Sequence, residues 1–470
     1  MSKESRLMKN TAIIAVGNIS TKCISFFLLP LYTSILTAED YGIVDLISTW
    51  VLVIAEILTL QLFQGVFRYL IDARNDLEKT KRYISSSLVI VGGAILGFLI
   101  VGEIVSFFLQ NPFKHFLIFN VVFYAFLQML LQIARGMGKN TIYALGSFLS
   151  ASINVVLNVL FLTIMKMGVI GMLTSMMLAY GIACVFIFIS CKIYKYIDIK
   201  KVRKKEVKEL IEFSIPLIPN ALSWWIINVS DRTIISFFLN TAANGIYAVS
   251  GKFSQLITLL SNIFVLSWTE SAAENASDRE RDEFYSTIML KSIKVFASAT
   301  ICVISAMPFL FRFLINDQYF EAYNYIPILL LATFFHTVAA LYGSIYTALK
   351  KTMNASSTTV ITAIINIVIN VALIHWIHIW AAALSTLIAY IVLVIIRHVD
   401  ISKDVKLHYD KTFLFLISGW STILLIGYYI NSIYLTLILF LASVIISYLI
   451  NREIVDSVVK NLINRFIKKN

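Results

Sequence analysis

The sequence predicts an all-α polytopic membrane protein with about 14 transmembrane helices, arranged as two parallel six-helix lobes plus two extra C-terminal helices. Three observations carry that expectation. Apolar residues make up 59% of the 470 residues and charged residues only 14%, against about 25% charged in an average soluble domain; the mean hydropathy is +0.82. Runs of about 20 or more apolar residues, each long enough to cross roughly 30 Å of hydrocarbon as a helix, recur along the whole length. Finally, Ile153-Asn154-Val155-Val156-Leu157-Asn158-Val159 reappears 212 residues later as Ile365-Asn366-Ile367-Val368-Ile369-Asn370-Val371. Asparagine inside hydrocarbon must find a partner, so a doubled Asn-x-x-x-Asn marks a repeated helix better than matched aliphatic residues do.

The first span, 11–36, follows Lys3, Arg6 and Lys9. It starts like a signal peptide, but it is too long and leads into another span, so a retained helix is expected. Spans 2 to 6 cover 41–67, 83–109, 114–134, 141–164 and 168–191, with the first Asn pair in span 5. The segment 192–210 contains Lys200-Lys201-Val202-Arg203-Lys204-Lys205 and is too polar to be buried. It is expected to be a basic cytoplasmic linker facing water or lipid headgroups. Spans 7 to 12 cover 211–239, 243–270, 284–314, 322–349, 354–376 and 379–396, with the second Asn pair in span 11. Tyr41-Gly42-Ile43 before span 2 matches Asn244-Gly245-Ile246 before span 8, so the first helices of each block also align. Spans 13 and 14, 412–430 and 433–450, stand outside the repeat, and a basic cytoplasmic tail, 451–470, follows them. The expected domains are an N-lobe at 1–191, the linker at 192–210, a C-lobe at 211–397, the two added helices within 412–450, and the tail.

A net charge of +12 would suggest nucleic acid in a soluble protein, but the charge is not spread evenly. With the N-terminus inside, 31 of the 39 Lys and Arg fall on cytoplasmic segments, and only Lys114 and Lys166 on the opposite side. This bias puts both termini in the cytoplasm of a multi-pass cell-membrane protein and explains the basic balance as topology plus attraction to anionic lipid, without nucleic acid. Six spans per block is an even number, so the repeat is parallel and its pseudo-twofold axis lies along the membrane normal. That is the geometry of a two-lobed transporter, with cavity faces expected on spans 1, 2, 7 and 8. The four cysteines, Cys23, Cys184, Cys191 and Cys302, form no Cys-x-x-Cys pair, and His375 and His378 have no third ligand at metal spacing, so neither a metal nor a cofactor is expected. External connections of about ten residues or fewer argue against a membrane glycan polymerase or ligase.

Ionisable groups inside a span cost several kcal/mol unless they are paired or line water, which makes each a functional candidate. In span 1, Asn18, Lys22 and Ser25 share a helical face; in span 2, Asp45, Thr49, Glu56 and Thr59 do the same. Asn220, Trp224, Asn228 and Asp231 follow an i, i+4 stripe in span 7 beside Arg232, and Lys252, Gln255 and Asn262 lie together in span 8. Competing structural roles stand beside each: Arg232 can snorkel outward, Lys22 and Lys252 can form ion pairs with Glu56, Asp45 or Asp231, and Trp224-Trp225 can pack on neighbours rather than stack on a sugar. Pro216 and Pro219 remove backbone donors early in span 7, giving either a kinked gate or a delayed helix start. The Asn pairs themselves point to helix-to-helix hydrogen bonds.

Leu29-Pro30-Leu31-Tyr32 with Ala38-Glu39-Asp40-Tyr41-Gly42-Ile43, and Asp231-Arg232 with Asn244-Gly245-Ile246-Tyr247 and Lys252, resemble the signatures of the Wzx-type polysaccharide flippases. That family belongs to the multidrug/oligosaccharidyl-lipid/polysaccharide exporter superfamily. The resemblance covers nearly the whole chain and implies a two-lobed fold that moves an undecaprenyl-diphosphate-linked oligosaccharide from the inner to the outer leaflet. It implies Lys22, Arg232 and Lys252 as diphosphate ligands, and Asp45, Glu56 and Asp231 as candidates for coupling to protons or sodium. Asn18, Ser25, Thr49, Asn220, Trp224, Asn228, Gln255 and Asn262 would line the cavity, with membrane lipids and glycan-assembly proteins as further partners. Spans 13 and 14 depart from the twelve-helix core usual in the family; similar additions occur in lipid II flippases and sporulation-linked relatives. A multidrug and toxin exporter, which shares the lobes but binds cations, is the alternative transporter.

Overall fold

The computed structural model describes residues 26–108, 110–430 and 432–456, leaving aside the side chains of 219–228 and 352. Among the described residues, twelve helices are long and apolar enough to cross a membrane. They correspond in order to expected spans 2 to 6 and 8 to 14; span 1 falls mostly on residues 1–25, and span 7 includes the side chains of 219–228. The chain is an all-α multi-pass membrane protein, and it divides into two compact units, Met1–Gly245 and Ile246–Asn470.

The first unit contains α1 (Leu29–Ile35), α2 (Ala38–Leu58), α3 (Leu62–Ala73), α4 (Leu77–Phe108), α5 (Lys114–Gly136), α6 (Asn140–Val159), α7 (Gly168–Ser190), α8 (Lys204–Ser214), α9 (Ile218–Phe238) and the first turn of α10 (Thr241–Glu274). α2 starts where it does because Thr37 and Asp40 form a capping box: the Thr37 hydroxyl accepts from the Asp40 N–H, and Asp40 accepts from the Thr37 N–H. Asp76 opens α4 with a one-way cap, accepting from the N–H groups of Glu78 and Lys79 at 3.0 Å each. Asn158 Nδ2 donates to the Tyr32 hydroxyl at 2.9 Å, tying α6 to α1, so the first Asn pair does serve helix association.

The second unit contains the rest of α10, then α11 (Arg281–Leu314), α12 (Ile326–Ala348), α13 (Thr352–Ile377), α14 (Ile379–Ile401), α15 (Lys411–Ile430) and α16 (Ile433–Ile450). Its core gathers Trp268, Tyr285, Tyr342 and Tyr346, and the buried polar tips are satisfied: Trp268 Nε1 donates to the Leu341 carbonyl at 3.1 Å. The second Asn copy bonds across α13 and α14, Asn366 Nδ2 reaching Thr386 Oγ1 at 3.1 Å. α15 and α16, the two helices outside the repeat, pack on α11, where Asn451 Nδ2 donates to Ser298 Oγ at 2.8 Å.

Three features differ from the expectations. Span 2 is not one helix: it breaks between α2 and α3, where Leu60 and Gln61 both adopt positive φ, +50° and +57°. The segment 192–210 is folded onto the first unit rather than fully solvated. Lys201 pairs with Glu78 at 2.6 Å, Tyr83 donates to Glu209 at 2.6 Å, and Glu206 and Leu210 of α8 are buried while Lys204, Lys205 and Lys208 stay exposed. In α8 the acidic Glu206 and Glu209 face the protein and Lys204, Lys205 and Lys208 face outward, which reconciles a polar sequence with docking. Arg397, which follows span 12 and is one of the 31 cations expected on cytoplasmic segments, is buried in α14 at 7% exposure.

Candidate functional site

α2 carries two separate polar constellations. In the first, Asp45 Oδ2 pairs with Arg232 Nε of α9 at 2.9 Å, and Arg232 Nη1 donates to Thr49 Oγ1 at 3.2 Å. Asp45 and Thr49 are four residues apart, so one face of α2 grips the guanidinium from two successive turns. The side chains of Arg232 and Asp45 are only 20% and 11% exposed, and the adjacent Asp231 is buried. Arg232 therefore does not snorkel outward. One turn nearer the start of α2, Asn244 Nδ2 donates to the Gly42 carbonyl at 3.0 Å. The two glycines allow that approach: a Cβ on Gly42 would strike the Thr241 carbonyl, and one on Gly245 would strike the Ala38 carbonyl.

The second constellation surrounds Glu56, eleven residues further along α2, or about 16 Å at 1.5 Å per residue. Glu56 does not join Asp45 and Arg232; its Oε2 accepts from Gln61 Nε2 at 3.2 Å. It lines a partly open cavity of about 210 Å³ with Thr59 and Gln64 from the broken segment and Tyr124, Gln128 and Gln132 from α5. Gln132 is 8% exposed, and its Oε1 has no hydrogen-bond partner. The α5 residues escaped the sequence-based expectation although the signal was there: Tyr124, Gln128 and Gln132 recur at i, i+4 and i+8 within an apolar run.

Asn18, Lys22 and Ser25 lie outside the described residues, as do the side chains of Pro219, Asn220, Trp224 and Asn228. Pro216 is exposed in a short 3₁₀ turn, Ile215–Leu217, that separates α8 from α9. In α10, Lys252 is half-buried while Gln255 and Asn262 are exposed. Sequence reasoning also missed the burial of Arg397. Its guanidinium bonds to the Ala339 carbonyl at 2.7 Å, the Ala355 carbonyl at 3.2 Å, Thr358 Oγ1 at 3.2 Å and Thr359 Oγ1 at 3.0 Å, joining α12, α13 and α14. Among the described residues, no group of three or more His, Cys, Asp or Glu side chains is placed to hold a metal ion.

Two compact units, a dozen described membrane helices and polar constellations among them make up this fold, and solved structures share it. The inward closed conformation of the lipid II flippase MurJ is 15% identical with a TM-score of 0.71, covering 94% of this chain and 100% of that one. An inward-facing multidrug resistance MATE family transporter of the MOP superfamily is 14% identical with a TM-score of 0.65, covering 83% and 98%. A MOP superfamily transporter from Pyrococcus furiosus is 15% identical with a TM-score of 0.54, covering 84% and 96%. These likenesses show that the chain shares its fold with those structures. The chain belongs to the polysaccharide biosynthesis protein family, whose model matches residues 7–269. Among curated proteins no relative matches by sequence.

Proposed function

We propose that this protein is a flippase that carries an undecaprenyl-diphosphate-linked oligosaccharide from the inner to the outer leaflet for surface polysaccharide synthesis (O-antigen, capsule or exopolysaccharide). The observation that carries the proposal is Arg232, a cation placed inside a membrane-spanning bundle and held by Asp45 and Thr49 of a neighbouring helix. A diphosphate cannot cross hydrocarbon unaided, and a guanidinium binds its oxygens through paired charge-assisted hydrogen bonds. The family resemblance adds Lys22 and Lys252 as further phosphate ligands and supports reading the protein as a transporter rather than an enzyme, and the Lys and Arg distribution supports a cell-membrane orientation with both ends cytoplasmic.

Asp45 gives this arrangement a coupling device. While ionised it competes with phosphate for Arg232; protonation releases the guanidinium for cargo, and the ligand then shifts the equilibrium by its differential affinity for the two states. Asp231, adjacent in sequence, is a second carboxylate for the same exchange. Glu56 is different in kind, because its bonding partner Gln61 is neutral and its protonation would free no cation there. A proton or sodium ion is the coupling species of this scheme.

Purified protein reconstituted with a fluorescent undecaprenyl-diphosphate-linked oligosaccharide tests the proposal. Label should reach the far leaflet at a rate set by a pH or sodium gradient, and Arg232→Gln should lower that rate at least about tenfold. Full translocation by Arg232→Gln at normal protein levels would overturn the cationic-site mechanism. Gradient-driven export of cationic dyes without glycan movement would favour the multidrug exporter instead.

A further inference from the structure

Resting on that flippase function, we propose that the cavity beside Glu56 is a subsite for one sugar ring of the cargo. Size is the first argument. A partly open cavity of about 210 Å³ is many times what a single water needs, so it has room for a ring-sized group and greatly exceeds a bare ion. Donor chemistry is the second: Glu56, Thr59, Gln64, Tyr124, Gln128 and Gln132 bring carboxylate, hydroxyl and amide groups to one wall set, with Phe63 beside them. Amides and carboxylates offer adjacent donors and acceptors that suit pairs of vicinal hydroxyls, and an aromatic ring suits the apolar face of a sugar.

Two further observations say that this polar lining is held open at a cost. Gln132 is 8% exposed with Oε1 unpartnered, and leaving a buried acceptor unsatisfied costs about 1–3 kcal/mol unless a ligand satisfies it. Leu60 and Gln61 are both left-handed without being glycine, each costing of order 1–3 kcal/mol. That break ends α2 just beyond Glu56 and brings Gln61 Nε2 onto Glu56 Oε2. Strain and an unsatisfied acceptor at one polar cavity, inside a membrane bundle, are features of a binding site rather than of packing.

The charge narrows the ligand. Among the described wall residues, Glu56 and Tyr124 are the titratable groups, and no described cation lines the cavity. A neutral hexose or N-acetylhexosamine fits; a hexuronate would meet the Glu56 carboxylate. With one carboxylate and otherwise neutral oxygens, the wall is built for hydroxyls more than for a metal ion. On the orientation set by the Lys and Arg distribution, α5 runs inward from Lys114, so Tyr124 to Gln132 occupy the inner half, where cargo is loaded.

The test uses the full-length chain in detergent micelles and in proteoliposomes. Saturation-transfer NMR with methyl glycosides of a neutral hexose, an N-acetylhexosamine and a hexuronate should show a neutral glycoside bound. Gln132→Leu should weaken it about tenfold, one hydrogen bond's worth, with Gln132→Asn intermediate. Glu56→Gln should narrow the preference over hexuronate. Thermal midpoints of each variant separate lost binding from lost folding, and Gln132→Asn preserves the test if the leucine variant fails to fold. No glycoside bound to wild type, or equal binding by both Gln132 variants, would overturn the subsite. So would sodium stabilising wild type but not Glu56→Gln, because the cavity would then be a cation site. If wild type translocates lipid-linked glycan while these results are negative, only the subsite fails. If wild type moves no glycan, the flippase proposal fails and glycoside binding alone decides the cavity.

Discussion

The Asp45–Arg232 pair allows the sharpest test of how α2 and α9 are joined. At 2.9 Å between Nε and Oδ2 the charge centres are about 4 Å apart, an attraction of about 4 kcal/mol at an effective dielectric constant near 20. Desolvation returns part of that, and the side chains keep 20% and 11% of their exposure, so the pair is neither a surface bridge worth under about 1 kcal/mol nor a fully dry one. We expect a net coupling of about 2 kcal/mol. Asp45→Asn leaves Arg232 with Thr49 as its described polar partner and should cost about 2–3 kcal/mol, below the roughly 3–5 kcal/mol of a fully buried broken pair. Arg232→Met should cost a similar amount, and the double variant should cost well under the sum.

A double-mutant cycle of SDS unfolding in mixed micelles measures this. A coupling energy below about 0.5 kcal/mol would refute the argument, since independent sites add to within that margin. The exchanged pair, Asp45→Arg with Arg232→Asp, separates structure from function. It should recover much of the stability, but it moves the cation from α9 to α2 and should not recover glycan translocation. Recovery of both would show that the pair only holds helices together.

Gly42→Ala should destabilise by about 1–3 kcal/mol, because the added methyl meets backbone rather than a yielding side chain; Gly93→Ala, with nothing within 4 Å of its Cβ, should change the thermal midpoint little. Arg397→Met should lower stability by about 2–4 kcal/mol through four lost bonds between α12, α13 and α14, and Arg397→Lys should not restore it because an ammonium lacks the planar fork; equal thermal midpoints for Arg, Lys and Met would contradict this. The Lys79 N–H, together with that of Glu78, holds the Asp76 carboxyl below its ordinary 3.8. A depressed folded value means the cap is fully present above 3.8 and is lost as pH falls through the folded value, so hydrogen exchange in the first turn of α4 should quicken below that pH in wild type and show no such step in Asp76→Ala.

How much was legible depended on whether a feature leaves its trace in side chains or in backbone. The Asn154/Asn158 and Asn366/Asn370 copies stood out because amides are rare in apolar runs, and their bonds to Tyr32 and Thr386 confirm a helix-joining role. Asp45, Thr49 and Arg232 were each visible as polar residues within spans, and helical spacing put the first two on one face; that Arg232 reaches them is a tertiary fact. The break at Leu60 and Gln61 left no trace, since neither is glycine or proline and their left-handed backbone is sustained by surroundings, including the Gln61–Glu56 bond. Arg397 was misplaced for a related reason. It stands at the polar end of an apolar run, like a cytoplasmic anchor, and half of what allows its burial is carbonyl oxygens, which every residue carries, the other half being the hydroxyls of Thr358 and Thr359.

The two constellations on α2 answer to the two chemically distinct parts of a lipid-linked glycan, an anionic diphosphate and a hydroxyl-rich sugar. Eleven residues turn an ideal helix through 1100°, within about 20° of whole turns, so Asp45 and Glu56 lie on nearly one face about 16 Å apart. On the proposals above, cargo would lie along that face with its diphosphate toward Arg232 and a sugar ring toward Gln132. The parts can be tested separately by removing the sugar. Undecaprenyl diphosphate alone should lose affinity for Arg232→Gln about as much as the glycan-bearing lipid does, whereas Gln132→Leu should weaken only the glycan-bearing lipid, about tenfold. If Gln132→Leu weakens both lipids equally, the cavity acts through the fold of α2 and α5 rather than through contact with sugar. If neither variant distinguishes the two lipids and Arg232→Gln binds both normally, the face of α2 is not where cargo lies.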